Sequence, residues 1–107
     1  MLFLVRMDVN VPSHLPAAEV EAAKATEKTR SQELQRDGRW VHLWRVVGCY
    51  SNYSVFDVDS NDELHEILQA LPLYPFMKIE VTPLAQHPSA LASTRNGTRQ
   101  ATLKKNA

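Results

Sequence analysis

The chain has 107 residues, enough for one compact domain and too few for two. Twelve Lys+Arg offset twelve Asp+Glu, so the formal net charge is zero, and neither nucleic acid nor an anionic membrane is expected as the main partner. The single cysteine, Cys49, excludes an internal disulfide and suits a reducing compartment.

The apolar N-terminal run is too short for a signal sequence, and no stretch approaches the ~20 apolar residues of a membrane span. A cytoplasmic protein is therefore expected, of a size at which oligomerisation aids stability. Residues 2–11 alternate: Phe3, Val5, Met7, Val9 and Val11 share one face, and Arg6, Asp8 and Asn10 the other, as in a half-buried strand. Pro12 and Pro16 end it. From Pro16 to Asp37 the chain is rich in Ala, Glu, Lys, Gln and Arg, which favour a helix, and Gly38 suits its C-terminal cap. Its apolar stripe is narrow: Val20, Ala23 and Leu34 lie within about 60° of one another at 100° per residue.

Residues 40–49 and 52–58 are aromatic and β-branched and read as two strands joined through Tyr50 and Ser51, with Gly48 near the turn or at a bulge. Ser60-Asn-Asp-Glu63 has the form of a capping box. Leu64, Ile67, Leu68 and Leu71 follow at i, i+3, i+4 and i+7, the clearest amphipathic helix in the chain. Pro72 and Pro75 stop it, and residues 76–82 alternate again as a fourth strand. The order β-α-β-β-α-β predicts an α+β, ferredoxin-like fold with two helices on one face of an antiparallel sheet. A second subunit's sheet is the simplest cover for the other face. The expected domain spans residues 1–90. Residues 91–107 form a polar tail, flexible or laid on a neighbouring subunit.

The run Gly38-Arg-Trp-Val-His-Leu-Trp-Arg45, with Gly48-Cys-Tyr-Ser-Asn-Tyr-Ser-Val-Phe-Asp-Val58, resembles the muconolactone isomerases. Met1-Leu-Phe-Leu-Val-Arg-Met7, Leu71-Pro-Leu-Tyr-Pro-Phe-Met77 and His87-Pro-Ser89 agree with it. The resemblance implies the ferredoxin-like fold, sheet-to-sheet dimers of α/β-barrel type assembled into a larger ring such as a decamer, and conversion of muconolactone to 3-oxoadipate enol-lactone in catechol degradation. It implies no cofactor and no metal. Cys49 stands where the family commonly has histidine, and the tail beyond residue 90 departs from the family's usual end.

Moving a proton within an unsaturated lactone asks for a base, donors for the dienolate oxygen, and a cation for the substrate's carboxylate. Glu27 falls within the Val20–Ala23–Leu34 stripe, where loss of hydration raises a carboxyl pKa. The resemblance also assigns the family's acid here, in Lys24-Ala-Thr-Glu27. The competing reading is an i,i+3 ion pair between Lys24 and Glu27 on a solvated face. Tyr50 and Asn52 are candidate donors to the lactone carbonyl and dienolate; otherwise they serve the turn. Lys24 and Arg45 are candidates to hold the carboxylate, with Arg6 a weaker third. His42 is placed on one strand face with Trp40 and Trp44, as a packed aromatic or a residue lining the pocket. Cys49 is a small buried thiol or a substrate contact. Among His14, His42, His65 and His87 no pair has metal-site spacing.

Two rivals share these residues. One is another enzyme of the same architecture: a chloromuconolactone dehalogenase of the same family, which would keep Glu27 as base, or a cofactor-independent oxygenase. A non-catalytic ferredoxin-like ligand-binding module would need no base at all.

Overall fold

The computed structural model describes residues 1–91. Strands β1 (Leu2–Val9), β2 (Trp40–Arg45), β3 (Ser51–Asp57) and β4 (Met77–Leu84) form one sheet in the order β2-β3-β1-β4. All three neighbouring pairs are antiparallel. Helices α1 (Ala17–Arg36) and α2 (Asn61–Gln69) supply Leu34 and Leu64, Ile67 and Leu68 to one core with Phe3, Val5 and Met7 of β1 and Phe56 of β3. This is the ferredoxin-like α+β fold, with both helices on one face. The tail from residue 92 lies outside the described residues.

The alternation in β1 holds where it matters: Phe3, Val5 and Met7 are buried, with exposures of 3%, 0% and 1%. The strand ends at Val9 rather than Val11, as the Asn10 N–H turns to the Phe76 carbonyl at 2.9 Å. Helix α1 begins after Pro16, whose missing N–H costs nothing at a helix start, and is followed by Gly38 at φ +87°. Its inward stripe is less apolar than the sequence reading allowed. Ser31 and Leu34 are its buried residues, and Ser31 turns its hydroxyl onto the Lys28 carbonyl at 2.9 Å.

Helix α2 follows its pattern closely. Ser60 Oγ accepts from the Glu63 N–H at 3.1 Å. The Glu63 carboxylate accepts from the N–H of Asp59 at 2.8 Å rather than from that of Ser60, so the reciprocal half of the box is displaced by one residue. Ser60→Ala should cost about 1 kcal/mol of stability, read as a lower urea midpoint with an unchanged slope. A short 3-10 turn, Tyr74–Phe76, then leads into β4, which starts one residue and ends two residues later than the alternation indicated.

The β2–β3 hairpin departs from expectation in two ways. Its connection is a five-residue loop, Val46–Tyr50, not a turn at Tyr50 and Ser51. The Val46 N–H closes it onto the Ser51 carbonyl at 3.0 Å, and Gly48 takes φ +78°. In addition, the register shifts between Trp40 and His42. Trp40 pairs with Phe56, a helix-side residue; His42 pairs with Val55 and Trp44 with Tyr53, on the opposite side. The placement of His42 and Trp44 with Trp40 is therefore corrected. The extra residue at Val41 turns Leu43 and Arg45 toward the helices. His42 and Trp44 stack on the open sheet face at 4.6 Å and 12°.

Candidate active site

Between α1 and the β2–β3 end of the sheet lies a cavity of about 470 Å³. Lys24, Glu27 and Ser31 enter it from α1, and Trp40, Leu43 and Arg45 from β2. Tyr50 and Asn52 reach it from the loop and from β3, and Leu73 from the segment after α2. Helix periodicity explains the first set: positions 24, 27 and 31 differ by three and four residues and so share a face. The bulge at Val41 explains the second, because without it Arg45 would point to the open face.

Glu27 is the carboxylate that lines the cavity, and it is partly buried. One oxygen accepts a hydrogen bond from the Leu73 backbone N–H at 3.1 Å. Burial raises its pKa above the ordinary glutamate value, and the Leu73 N–H, which favours the charged form, offsets part of that rise. The ion pair weighed against this role does not form with Glu27: Lys24 lies 3.8 Å from Glu21, one turn toward the helix start.

Lys24 Nζ and the Arg45 guanidinium both lie over the Tyr50 ring, at 5.4 and 5.3 Å from its centroid. Two cations thus flank one aromatic ring at the cavity wall. Asn52 lies opposite Arg45 in the β2–β3 ladder. Its Oδ1 accepts from the buried Ser54 hydroxyl at 2.8 Å, which fixes the amide so that its NH₂ is the end left to donate.

Five expected site residues, Lys24, Glu27, Arg45, Tyr50 and Asn52, therefore come together. Two do not. His42 is carried to the open face by the bulge, and Cys49 is exposed in the Val46–Tyr50 loop, away from the cavity lining and not the small buried thiol the sequence suggested. Arg6 also stays on the open face. Its guanidinium holds Asp8 at 3.1–3.2 Å and the Tyr53 hydroxyl at 3.0 Å, which lowers the Asp8 pKa. Among the described residues no group of three or more His, Cys, Asp or Glu side chains could hold a metal ion.

Sequence reasoning missed the Leu73 N–H, Ser31 and Trp40. A backbone donor leaves no mark in a sequence. Ser31, four residues after Glu27, was on the same stripe and could have been counted. Trp40 is 3% exposed and packs on Phe56 with centroids 4.6 Å apart at 35°. Its indole Nε1 is buried with no hydrogen-bond partner among the described residues. A buried N–H left unpaired costs about 1–3 kcal/mol, and so calls for an explanation.

Fold and site together define a small ferredoxin-like domain whose cavity is lined by one partly dehydrated carboxylate, Glu27, and three cationic side chains, Lys24, Lys28 and Arg45, an arrangement suited to proton transfer on an anionic ligand. The chain belongs to the muconolactone delta-isomerase family, whose model matches residues 1–90. It is 60% identical over 91 residues to the muconolactone delta-isomerase of Cupriavidus pinatubonensis, covering 85% of this chain and 99% of the relative. It is 59% identical to that of Acinetobacter baylyi, covering 85% and 95%. A crystal structure of muconolactone isomerase superposes with a TM-score of 0.81 at 52% identity, covering 85% of this chain and 95% of that one. A 5-chloro-2-hydroxyhydroquinone dehydrochlorinase from Burkholderia phenoliruptrix shares the fold alone, at 15% identity and a TM-score of 0.57.

Proposed function

We propose that this protein is an isomerase that converts muconolactone to 3-oxoadipate enol-lactone, with Glu27 moving the proton. The observation that carries the reading is the placement of Glu27, partly dehydrated and tethered by one oxygen, in the same cavity as the cations Lys24 and Arg45. Family membership supplies the substrate.

In this mechanism Arg45 and Lys24 hold the substrate's carboxylate. Glu27 removes the proton from the ring carbon that bears the carboxymethyl arm. The electrons move through the ring double bond to the lactone carbonyl oxygen and give a dienolate. The protonated Glu27 then returns its proton to the carbon beside the lactone carbonyl, which leaves the double bond one position along the ring. Substrate and product have the same atoms, so no oxidant or co-reactant is consumed. Burial favours this chemistry twice: it raises the basicity of Glu27 and strengthens each donor's hold on developing charge. Tyr50 and Asn52 provide neutral donors beside the cations for the substrate's oxygens.

The test is muconolactone turnover followed by ultraviolet absorbance. A silent wild type would overturn the reading; chloride release from a chlorinated muconolactone would then favour the dehalogenase, and silence on both the binding module. A finer test separates anchoring from chemistry. Arg45→Ala should raise KM about 10- to 100-fold, the loss of one charge-assisted contact, with a smaller change in kcat.

The same reading includes a homo-oligomer in which open sheet faces pair as α/β-barrel dimers, assembled into a ring. It is supported by the open face, where Trp44 and Tyr53 are 55% and 38% exposed. The reading also includes a cytoplasmic location. No described helix is long and apolar enough to cross a membrane.

A further inference from the structure

We infer that Lys28 is the capture cation of the cavity: its ammonium draws the anionic substrate in from solvent, before Arg45 and Lys24 take hold of the carboxylate. The inference rests on the isomerase reading above and deepens it, by giving entry and anchoring to different side chains.

The cavity and the chain differ in charge balance. The chain as a whole has a formal net charge of zero. The cavity is lined by Lys24, Lys28 and Arg45 against one carboxylate, Glu27, so with Glu27 ionised it carries three positive charges to one negative. A substrate with a single carboxylate is anchored by fewer cations than that. Lys24 and Arg45 stand together at the Tyr50 ring. Lys28 is the third cation, and anchoring does not account for it.

Its placement suits entry. At 100° per residue Lys28 lies about 100° round α1 from Glu27, with Ser31 and Lys24 between them at about 40° and 60°. Glu27 occupies the flank that meets Leu73, whose N–H it accepts at 3.1 Å. Lys28 occupies the opposite flank of this stripe and is exposed. It has no ion-pair partner among the described residues, whereas Lys24 lies 3.8 Å from Glu21. Nor does it neutralise the base: the Glu27 carboxyl responds to burial and to the Leu73 N–H, not to a neighbouring cation. An unpaired, exposed ammonium on the lining of a cavity acts through its field. In a concave site that field reaches outward and raises the local concentration of an anion. Salt sets its reach, since the screening length is about 30 Å at ~0.01 M and about 3 Å at ~1 M.

The test varies charge at position 28 and salt together. At ~0.01 M salt, Lys28→Gln should lower kcat/KM on muconolactone about 3- to 10-fold, with kcat within about twofold of wild type. Lys28→Arg should match wild type, and Lys28→Glu should fall below Lys28→Gln. At ~1 M salt the four proteins should converge, because the field is screened. A second measurement is independent of turnover: calorimetric Kd values for the saturated lactone 5-oxotetrahydrofuran-2-acetate, which should follow the same order and the same convergence. Wild-type kcat/KM in Lys28→Gln at low salt overturns the inference and leaves the isomerase reading intact. So does a loss that persists unchanged at high salt, which marks a direct contact or a structural role. A fall in kcat equal to that in kcat/KM overturns it too, because the interaction then belongs to the transition state. Absence of wild-type turnover overturns the isomerase reading. In that case the charge order in Kd still supports Lys28 as the capture cation of an anion-binding module, and Kd values without that order, or a probe that does not bind, overturn both.

Discussion

Glu27→Gln should lower kcat on muconolactone by about 10²–10⁴-fold and leave the fold intact or slightly more stable. The amide keeps the size of the side chain and its Oε1 can still accept from the Leu73 N–H, now 3.1 Å from the carboxylate. What it lacks is the ability to take a proton. The stability half of the prediction follows from the raised pKa of Glu27, which is caused first by burial. The folded state holds the Glu27 proton more tightly than the unfolded state, so stability from this group falls as pH rises from the unfolded value through the folded one. Above that window the enzyme carries a buried negative charge at a cost that glutamine escapes. Thermal melts of wild type and variant should therefore differ most at neutral pH and converge below the ordinary glutamate range, about pH 4. The rate profile has the opposite sense. kcat/KM should fall as pH drops through the raised pKa, because only the ionised carboxylate is a base. A variant that melts well below wild type at pH 7, or keeps wild-type turnover, would sink the assignment.

The parts of this molecule that were legible in the sequence are those where one period dominates. Helix α2 was readable because Leu64, Ile67 and Leu68 recur at helical spacing behind a Ser60 cap and are buried; Leu71, read as its next turn, is buried too but lies past the helix end at Gln69. The inward aim of Glu27 was readable for the same reason, through Val20, Ala23 and Leu34. Strand β2 was misread because its sequence alternates too well. Trp40, His42 and Trp44 occupy even positions, and nothing in Trp-Val-His-Leu-Trp marks the bulge with glycine or proline. That single extra residue decides which of Arg45 and His42 enters the cavity. The hairpin loop was misplaced because Cys49 and Tyr50 suit a strand end as well as a loop. The Leu73 contact was beyond reach for a different reason: it joins residues 46 apart in sequence through a backbone group. Periodicity fixes which face a side chain takes, and long-range contacts decide what it meets there.

The largest loss of stability should come from Phe56→Ala, and a comparison with Trp44→Ala gives it meaning. Phe56 is fully buried in β3, an inner strand. It lies opposite Phe3 of β1 and Trp40 of β2, and its ring touches that of Trp40 at 4.6 Å. Truncation removes an aromatic ring from a site walled by backbone on both sides, where collapse into the gap is restricted. The expected cost is about 3–5 kcal/mol, a large share of the 5–15 kcal/mol typical of a domain. Urea unfolding should show the midpoint falling sharply with the slope preserved. Phe56→Leu should restore much of the loss, since it refills most of the volume. Trp44 has a ring of greater size but stands 55% exposed on the open face. If that face were bare in solution, Trp44→Ala would shift the midpoint by no more than about 0.5 kcal/mol. If open faces pair between subunits, the same change should dissociate the assembly, seen as a smaller species by light scattering. The two variants therefore separate a core that holds one chain together from a face that joins two. A Phe56→Ala protein as stable as wild type would mean that the β3 core does not carry the fold.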